Sequence, residues 1–181
     1  MEPIFEEDNF ISKADCEDLI FYHKNNCPKN ETSQGVWNNR IVTSYNDNIK
    51  NLINSIHYKV LYRIQNFYGE NEVYLEFSSL VYWGKGMELV PHADNFWIDD
   101  PQAFHKCSYR DYSSILYLND SFKGGETYFP EYNYNIKPKT GKLTFYTSGA
   151  KHVHGVKEIT SGTRYTMGMW FTKDPNHSIL K

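Results

Sequence analysis

The sequence predicts a mainly β fold, a double-stranded β-helix or jelly roll, with two N-terminal helices packed on one outer face. Apolar residues recur at helical spacing through the first part of the chain, whereas short β-prone runs and turn signals alternate from Val73 onward. The chain has 15 tyrosines and 11 phenylalanines, and an aromatic fraction of 17% favours strands. Because no linker or repeat interrupts it, we expect one domain over residues 1–181, helical over about 1–70 and a jelly-roll core over about 73–173.

The first helix is predicted over about residues 13–25. Ser12 and Asp15 have the spacing of a capping box, in which each side chain accepts a hydrogen bond from the other residue's backbone N–H. Cys16 and Leu19 then follow at helical spacing. These residues predict both the start of the helix and its buried face.

A second, longer helix is predicted to end near Gly69. Its apolar residues recur at steps of three and four: Ile49, Leu52, Ile53, Ile56, Val60, Ile64 and Phe67. Gly69 stands where a C-terminal glycine commonly ends a helix in the left-handed conformation. Each helix has one apolar face, which we expect to pack against a sheet.

About seven or eight strands are expected after this helix. The turn signals that separate them are Gly84-Lys85-Gly86, Asn119-Asp120, Gly124-Gly125, Lys139-Thr140-Gly141 and Ser161-Gly162. Glycine and asparagine adopt the backbone conformations that tight turns require. Several short strands separated in this way are typical of sandwiches and barrels.

Charge and composition exclude several classes of function. A net charge of −3 and a pI near 6.2 provide no basic surface for nucleic acid. The acidic segment 1–8 has no apolar run behind it, so we expect no signal peptide, no membrane contact and a cytoplasmic location. Cys16, Cys27 and Cys107 form no C-x-x-C pair, which suits reduced thiols. We expect a monomer or a weak dimer.

A possible metal site begins with His92-Ala93-Asp94. Residues two apart in a strand project from the same face, so one imidazole and one carboxylate can reach the same ion. His154 lies in a later predicted strand and supplies a second imidazole. Two histidines and one carboxylate on one face of an octahedron are typical of non-haem iron(II) oxygenases. Zinc in a hydrolase site takes a similar set, and a surface histidine beside a solvated aspartate is the simplest alternative.

Arg164 distinguishes between these readings. It alternates with Thr166, Gly168 and Trp170 along a predicted strand, so Arg164 and Trp170 point to the same side. A buried guanidinium is costly unless it meets an anion. A small dicarboxylic acid is one such anion, and the hydroxyl of Tyr117 could add a second donor. An internal salt bridge with a protein carboxylate is the alternative.

These residues resemble the prolyl 4-hydroxylase branch of the iron(II)- and 2-oxoglutarate-dependent oxygenases, which includes the oxygen-sensing prolyl hydroxylases. The resemblance covers roughly residues 73–173. It rests on Tyr82-x-Gly84-x-Gly86, His92-x-Asp94-Asn95, Ile115-x-Tyr117-Leu118-Asn119, Gly124-Gly125-Glu126, Pro138-x-x-Gly141, His154-x-Val156, Gly162-x-Arg164-Tyr165 and Trp170-Phe171. The order and spacing of these motifs make it specific.

The resemblance implies a role for each matching residue. His92, Asp94 and His154 match the metal ligands, which in this family hold Fe(II) and are catalytic. Arg164 and Tyr117 match the residues that bind 2-oxoglutarate. A further match, Tyr82, corresponds to a tyrosine that lines the same pocket.

The family also implies the reaction, a dioxygenase reaction that consumes O2, hydroxylates a substrate C–H bond and releases succinate and CO2. Ascorbate is implied as the reductant that restores oxidised iron. His152 competes with His154 as a ligand, because the two alternate onto the same side. The spacing from His154 to Arg164 fits the family, so we assign His152 to the substrate side or to the surroundings of the metal.

Substrate residues are expected on two walls beside the metal. One wall is the loop over residues 95–111, with Trp97 and Arg110, and the other includes Trp37 and Arg40. His152 and Trp170 complete the set of candidates. The same aromatic residues could instead simply cover the edge of the barrel.

Three functions remain open at this point. The leading one is a prolyl hydroxylase that acts on a peptide or protein. The second is a 2-oxoglutarate oxygenase that acts on a free amino acid or another small molecule. The third is a non-catalytic jelly-roll binding module, against which the complete His, Asp, His and Arg set argues.

Overall fold

A computed structural model of the protein describes residues 3–28 and 39–180. In chain order its helices and strands are β1 (Phe5–Glu7), α1 (Lys13–Asn26), β2 (Ile41–Val42), α2 (Asp47–Tyr68), β3 (Tyr74–Trp83), β4 (Leu89–His92), β5 (Tyr112–Tyr117), β6 (Lys123–Gly124), β7 (Thr127–Phe129), β8 (Tyr134–Ile136), β9 (Leu143–Thr147), β10 (His154–Val156), β11 (Ile159–Ser161) and β12 (Arg164–Thr172). Neither of the described helices is long and apolar enough to cross a membrane.

Helix α1 begins as the capping pattern predicts. The Ser12 hydroxyl accepts a hydrogen bond from the backbone N–H of Asp15 at 3.1 Å, and the Asp15 carboxylate accepts one from the backbone N–H of Ser12 at 3.2 Å. Two of the N–H groups that a helix start leaves unpaired are thereby satisfied. The predicted boundaries of α1 agree with the structure to within one residue.

Helix α2 is also confirmed, including its end. Its N-cap is Asn46, whose side chain accepts a hydrogen bond from the backbone N–H of Asn48 at 3.2 Å. Gly69 ends the helix in the left-handed conformation, with φ of 68°. The buried residues Ile49, Ile53, Ile56, Val60 and Ile64 form its apolar face.

The strands form three antiparallel sheets. The largest has the order β1-β9-β5-β12-β3-β2, a second has the order β4-β10-β7-β8, and β11 pairs with β6. This arrangement confirms the mainly β prediction. Among the described residues ten strands follow α2 rather than about seven or eight, because several of them are only two or three residues long. Strands that short are not visible as an alternation of apolar and polar residues.

The largest sheet has two different faces. Along β12, Met167, Met169 and Phe171 belong to the main apolar core, which also contains the buried faces of α1 and α2. The alternate residues of the same strand line a cavity on the other face: Arg164, Thr166, Gly168 and Trp170. Strand alternation therefore separates the helix-covered core from the site.

Gly141 joins the N-terminal segment to this sheet. Its N–H donates to the carbonyl of Tyr117 at 2.9 Å, and its carbonyl accepts from the N–H of Phe10 at 2.8 Å. The backbone of Gly141 has φ of 76°, and a Cβ there would lie 2.5 Å from the carbonyl oxygen of Ile11. Any side chain at this position would thus meet both backbone strain and a steric clash.

We expect Gly141→Ala to lower the free energy of unfolding by more than about 3 kcal/mol, since a left-handed alanine costs about 1 to 2 kcal/mol and the clash adds to it. Gly86→Ala is the matched control, because Gly86 has φ of 81° but no atom within 4 Å of an added Cβ. Urea denaturation of both variants measures the difference. Equal losses would show that the contact with Ile11 contributes nothing.

Candidate active site

The pairing of β4 with β10 brings the predicted metal ligands together. His92 ends β4, His154 begins β10, and the two residues are register partners. Their ring centres lie 4.5 Å apart. The Nε2 atoms of His92 and His154 each lie 3.7 Å from an oxygen of Asp94. One ligand atom from each of the three residues lies within 4.8 Å of the other two.

Both imidazoles are oriented by backbone carbonyls. Nδ1 of His92 lies 3.0 Å from the carbonyl oxygen of Val90, and Nδ1 of His154 lies 2.9 Å from that of His152. Donation from Nδ1 leaves the lone pair on Nε2, the nitrogen that faces Asp94. Ligating histidines commonly donate their second nitrogen in this way, so the arrangement fits a metal ion.

Asp94 is held by a chain of hydroxyl groups. The Ser113 hydroxyl donates to Oδ2 of Asp94 at 2.6 Å and lies 2.7 Å from the hydroxyl of Ser148. The backbone N–H of Asp94 donates to the carbonyl of Ser148 at 2.9 Å. These contacts fix the carboxylate on the side of the two imidazoles.

The protonation states of Asp94 and His154 also favour a cation. Burial alone would raise the pKa of Asp94, but the adjacent His92 and His154 and the Ser113 hydroxyl outweigh it and hold that pKa well below its usual range. Burial lowers the pKa of His154 to about 4. For His92, burial opposes the charge, yet the Asp94 carboxylate outweighs burial and raises the pKa. An ionised Asp94 beside a neutral His154 provides ligands in the forms that bind metal.

His152 does not face this cluster. Its side chain is buried, and its Nδ1 lies 2.7 Å from the hydroxyl of Thr147. The ring packs near Phe129, Tyr132 and Tyr146 instead of lining the cavity or the neighbouring groove. Of the two positions considered for His152, the substrate side is therefore contradicted, and the residue lies in the surroundings of the metal-binding cluster, where its backbone carbonyl orients His154.

Arg164 begins β12 and is 1% exposed. Its Nη2 donates to the hydroxyl of Thr127 at 3.3 Å, and its guanidinium lies 5.1 Å from the ring centre of Tyr117 and 5.5 Å from that of Trp83. Burial lowers the pKa of Arg164, because the charged form loses solvent. Arginine nevertheless remains charged in proteins.

No carboxylate in residues 3–28 or 39–180 pairs with Arg164, so the internal salt bridge is excluded there. Its Nε is buried and has no hydrogen-bond partner among these residues. A buried charge of this kind favours an anionic ligand. Tyr117 lies beside it, but the Tyr117 hydroxyl donates to Thr127 at 2.8 Å.

One cavity connects the three possible ligands with Arg164. Its volume is about 70 Å³. His92, Asp94, His154 and Arg164 line it, and the remaining walls are largely apolar: Val81, Trp83, Leu89, Ile115, Tyr146, Val156, Gly168 and Trp170. The metal-binding cluster and a buried cation therefore line the same cavity.

Tyr82 does not line this cavity, contrary to the prediction. Tyr82 is the register partner of Tyr165, whereas the next residue, Trp83, is the partner of Arg164. Opposite residues of an antiparallel pair share a face, so Trp83 faces the cavity and Tyr82 faces α1, where it lies 5.7 Å from the ring of His23.

A wider groove of about 630 Å³ shares His92, Asp94 and Trp170 with the cavity. Trp97 and Arg110, two of the candidate substrate residues, line this groove. Trp97 is 52% exposed, and its indole N–H donates to the carbonyl of Phe104 at 3.1 Å. The groove gives an opening from the surface to the metal-binding cluster.

The other predicted wall differs from expectation. Arg40 is 6% exposed, and its guanidinium lies 4.1 Å from the ring centre of Trp83 rather than in the groove. Its neighbour Ile41 lines the groove instead. Trp37 lies outside the described residues.

Three residues beside Asp94 or Arg164 were not predicted from the sequence: Ser113, Thr127 and Trp83. Ser113 could have been found, because alternation back from Tyr117 places it on the inward face of β5. Trp83 could have been found in the same way from Arg164, once the strands were paired. Thr127 carried no signal of its own, since a threonine in a strand is common.

Comparison with known proteins identifies relatives. A family model described as the 2OG-Fe(II) oxygenase superfamily matches residues 77–172. Prolyl 3-hydroxylase 2 from Homo sapiens is 41% identical over 98 residues, which are 51% of this chain and 13% of that protein. Prolyl 3-hydroxylase 1 from Gallus gallus is 41% identical over 86 residues, or 45% of this chain and 11% of that protein. The match therefore spans only a small part of these curated relatives.

Solved structures share the fold. A viral collagen prolyl hydroxylase from Paramecium Bursaria Chlorella virus-1 has a TM-score of 0.69 at 18% identity, covering 93% of this chain and 94% of that one. A prolyl-4-hydroxylase from Pseudomonas putida has a TM-score of 0.65 at 19% identity, covering 94% and 92%. A prolyl hydroxylase from Trichoplax adhaerens, solved with a hypoxia inducible factor peptide fragment, has a TM-score of 0.69 at 18% identity, covering 98% and 87%.

These likenesses confirm the jelly-roll prediction. The family model covers more than half of the sequence and includes His92, Asp94 and His154, which form the metal-binding cluster. This chain belongs to the 2OG-Fe(II) oxygenase superfamily.

Proposed function

We propose that this protein is an iron(II)- and 2-oxoglutarate-dependent dioxygenase that hydroxylates a prolyl residue in a peptide or protein. One observation carries the proposal: three potential metal ligands and a buried arginine without a carboxylate partner among the described residues line the same cavity. The relatives named as prolyl hydroxylases support the substrate class.

His92, Asp94 and His154 would hold the iron. Two neutral imidazoles and one carboxylate form the set that suits iron(II) in this class of oxygenases. Bound iron(II) and 2-oxoglutarate supply the oxidising chemistry, in which O2 is consumed, the substrate gains a hydroxyl group, and succinate and CO2 are released. The contribution of the chain is to orient the imidazoles through backbone carbonyls and the carboxylate through Ser113.

Arg164 would bind the distal carboxylate of 2-oxoglutarate. It lies at the start of β12, and largely apolar walls separate its charge from solvent. The Thr127 hydroxyl accepts from both Arg164 and Tyr117, so it ties the two residues together. Thr127 and Tyr117 would thus hold the guanidinium in place.

The groove supports a peptide substrate over a free amino acid. It is open to the surface, and three exposed apolar side chains line it: Val90, Trp97 and Ile98. Aromatic surfaces such as Trp97 and Trp170 suit the apolar face of a proline ring. The groove also contains Arg110 and Lys106, which could hold the carboxylate of a small molecule, and this keeps a free amino acid as the second candidate.

The metal assignment predicts that His154→Ala abolishes iron binding. The loss in affinity should exceed about 100-fold, because changes that only disturb the orientation of ligands already cost about 10- to 100-fold. His152→Ala is the control and should bind iron normally, since its backbone carbonyl remains. Calorimetry with Fe(II) under anaerobic conditions measures both variants. Retained binding in His154→Ala together with loss in His152→Ala would reverse the assignment.

The arginine assignment predicts that Arg164→Ala weakens 2-oxoglutarate binding by roughly 3 to 5 kcal/mol, the usual cost of leaving one partner of a buried charge pair alone. Iron affinity should not change. Tyr117→Phe should cost about 1 kcal/mol, since its hydroxyl acts through Thr127. Titration of the iron-loaded variants with 2-oxoglutarate tests this, and unchanged affinity in Arg164→Ala would place the cosubstrate elsewhere.

The substrate proposal predicts hydroxylation of a synthetic peptide of Pro-Pro-Gly repeats, with none on free L-proline. Both are incubated with iron(II), 2-oxoglutarate and ascorbate, and mass spectrometry detects one added oxygen atom. Hydrolysis of the product then distinguishes 3-hydroxyproline from 4-hydroxyproline. The comparison is useful because the relatives include both a prolyl 3-hydroxylase and a prolyl-4-hydroxylase.

Three outcomes separate the candidate functions. Product on a free amino acid alone would refute the peptide substrate and leave the dioxygenase assignment intact. If succinate is released but neither the peptide nor free L-proline is hydroxylated or increases that release, the substrate belongs to a different class. A chain that releases no succinate under any condition would be a binding module.

A further inference from the structure

Strand β3 contains an irregularity at Glu76. Trp170 of β12 pairs with Phe77, and the next residue, Phe171, pairs with Leu75, so the register passes over Glu76. An extra residue of this kind is a β-bulge, which redirects a side chain and is common beside active sites. Leu75 belongs to the helix-covered core, whereas Phe77 lines the groove. The bulge thus lies where β3 changes from one environment to the other.

Both carboxylate oxygens of Glu76 are engaged. Oε1 accepts a hydrogen bond from the hydroxyl of Tyr109 at 3.2 Å, and Oε2 accepts one from Nε of Arg110 at 2.7 Å. The side chains of Arg110 and Glu76 are only 14% and 11% exposed. His177 stacks on Tyr109 with ring centres 3.6 Å apart, which holds the tyrosine from the other side. Two adjacent residues, Tyr109 and Arg110, therefore hold the carboxylate, and His177 supports the first of them.

Glu76 in turn fixes the direction of Arg110. The guanidinium of Arg110 lies 4.6 Å from the ring centre of Trp170 and 5.9 Å from that of Phe77. Its Nε is committed to Glu76, and in residues 3–28 and 39–180 its Nη atoms have no hydrogen-bond partner. Arg110 lines the groove, so these terminal N–H groups are available to a ligand there.

We propose that Glu76 is a positioning residue for the substrate: it holds the guanidinium of Arg110 against Trp170 so that the Nη groups face the groove and bind acceptor oxygens of the substrate chain. The inference rests on the proposed function and extends it to a residue outside the cavity. Arginine N–H groups act only as hydrogen-bond donors, and the carbonyl oxygens of a peptide are acceptors that they can bind.

A purely structural role is the alternative. The Glu76–Arg110 ion pair also ties the loop over residues 95–111 to β3, and the loss of either partner would weaken that connection. A structural role affects folding and every ligand alike. A positioning role affects the substrate while iron and 2-oxoglutarate binding stay constant.

Glu76→Gln is the primary test, since it removes the charge and keeps the shape. We expect the KM for the Pro-Pro-Gly peptide to rise roughly 10- to 100-fold, the effect of losing one hydrogen bond to a charged group. The KM for 2-oxoglutarate and its turnover without peptide should stay within about twofold. An unchanged peptide KM, or an equal loss for both substrates, would overturn the proposal.

Glu7→Gln is the matched control, because Glu7 also accepts from an arginine Nε, that of Arg63, at 2.8 Å, but lies on β1 away from the groove. It should leave both KM values unchanged. The exchange of Glu76→Arg with Arg110→Glu separates the two roles further. If the ion pair only ties the loop, the exchange restores the peptide KM, whereas under our proposal the KM remains high because a carboxylate then faces the groove.

A measurement independent of turnover keeps this inference separate from the proposed function. In NMR of isotope-labelled protein without substrate, the Nε–H of Arg110 should exchange slowly with solvent, and in Glu76→Gln it should exchange at least roughly 10-fold faster. Equal exchange in both proteins would refute the positioning role. If the wild-type protein hydroxylates no peptide, the substrate proposal fails, and this exchange measurement still tests whether Glu76 holds the Arg110 guanidinium.

Discussion

The alternation of side chains along β12 is the constraint on which the rest of the structure depends. β12 lies inside the largest sheet, between β5 and β3, and both of its faces are covered. Met167 and Met169 pack under the helices, while Arg164 and Trp170 face the cavity. A shift of one residue in the register would exchange these sets and bury a charge in the apolar core. The core and the site are thus two consequences of one strand pairing.

The position of Arg164 also carries an energetic cost that the fold offsets only in part. Its neighbours are aromatic rings and one hydroxyl group, which stabilise a cation by about 0.5 to 2 kcal/mol for each favourable ring. The desolvation of a charge costs several kcal/mol. Because this cation is buried and has no carboxylate partner among the described residues, an anionic ligand stabilises it more than it would stabilise a neutral or solvent-exposed group.

Much of this arrangement could be predicted from the sequence, because it depends on short-range periodicity. The capping pattern at Ser12, the helix end at Gly69 and the alternation from Arg164 to Trp170 are local, and each agrees with the structure. The spacing of His92 and Asp94 is local too. Their closeness to His154 is a long-range contact, and the sequence indicated it only through the resemblance to a family.

The parts that could not be predicted depend on which way a strand faces. Tyr82 and Trp83 are adjacent aromatic residues, so composition does not decide which one faces inward, and only the pairing with Tyr165 and Arg164 settles it. A bulge such as that at Glu76 reverses the alternation within one strand, and no periodic rule anticipates it. Strands of two residues, such as β2, leave too few positions for a pattern.

The two metal-facing imidazoles share a further property. Each Nδ1 is bonded to the carbonyl of the residue two positions earlier in the chain, that of Val90 for His92 and that of His152 for His154. Orientation of the histidines is therefore encoded in the main chain, and substitutions at positions 90 and 152 need not disturb it. Asp94, by contrast, depends on the side chains of Ser113 and Ser148. During evolution, substitutions at the two serines can therefore change the metal affinity of such a centre through its carboxylate. Substitutions at the residues that supply the two carbonyls leave the orientation of its imidazoles in place.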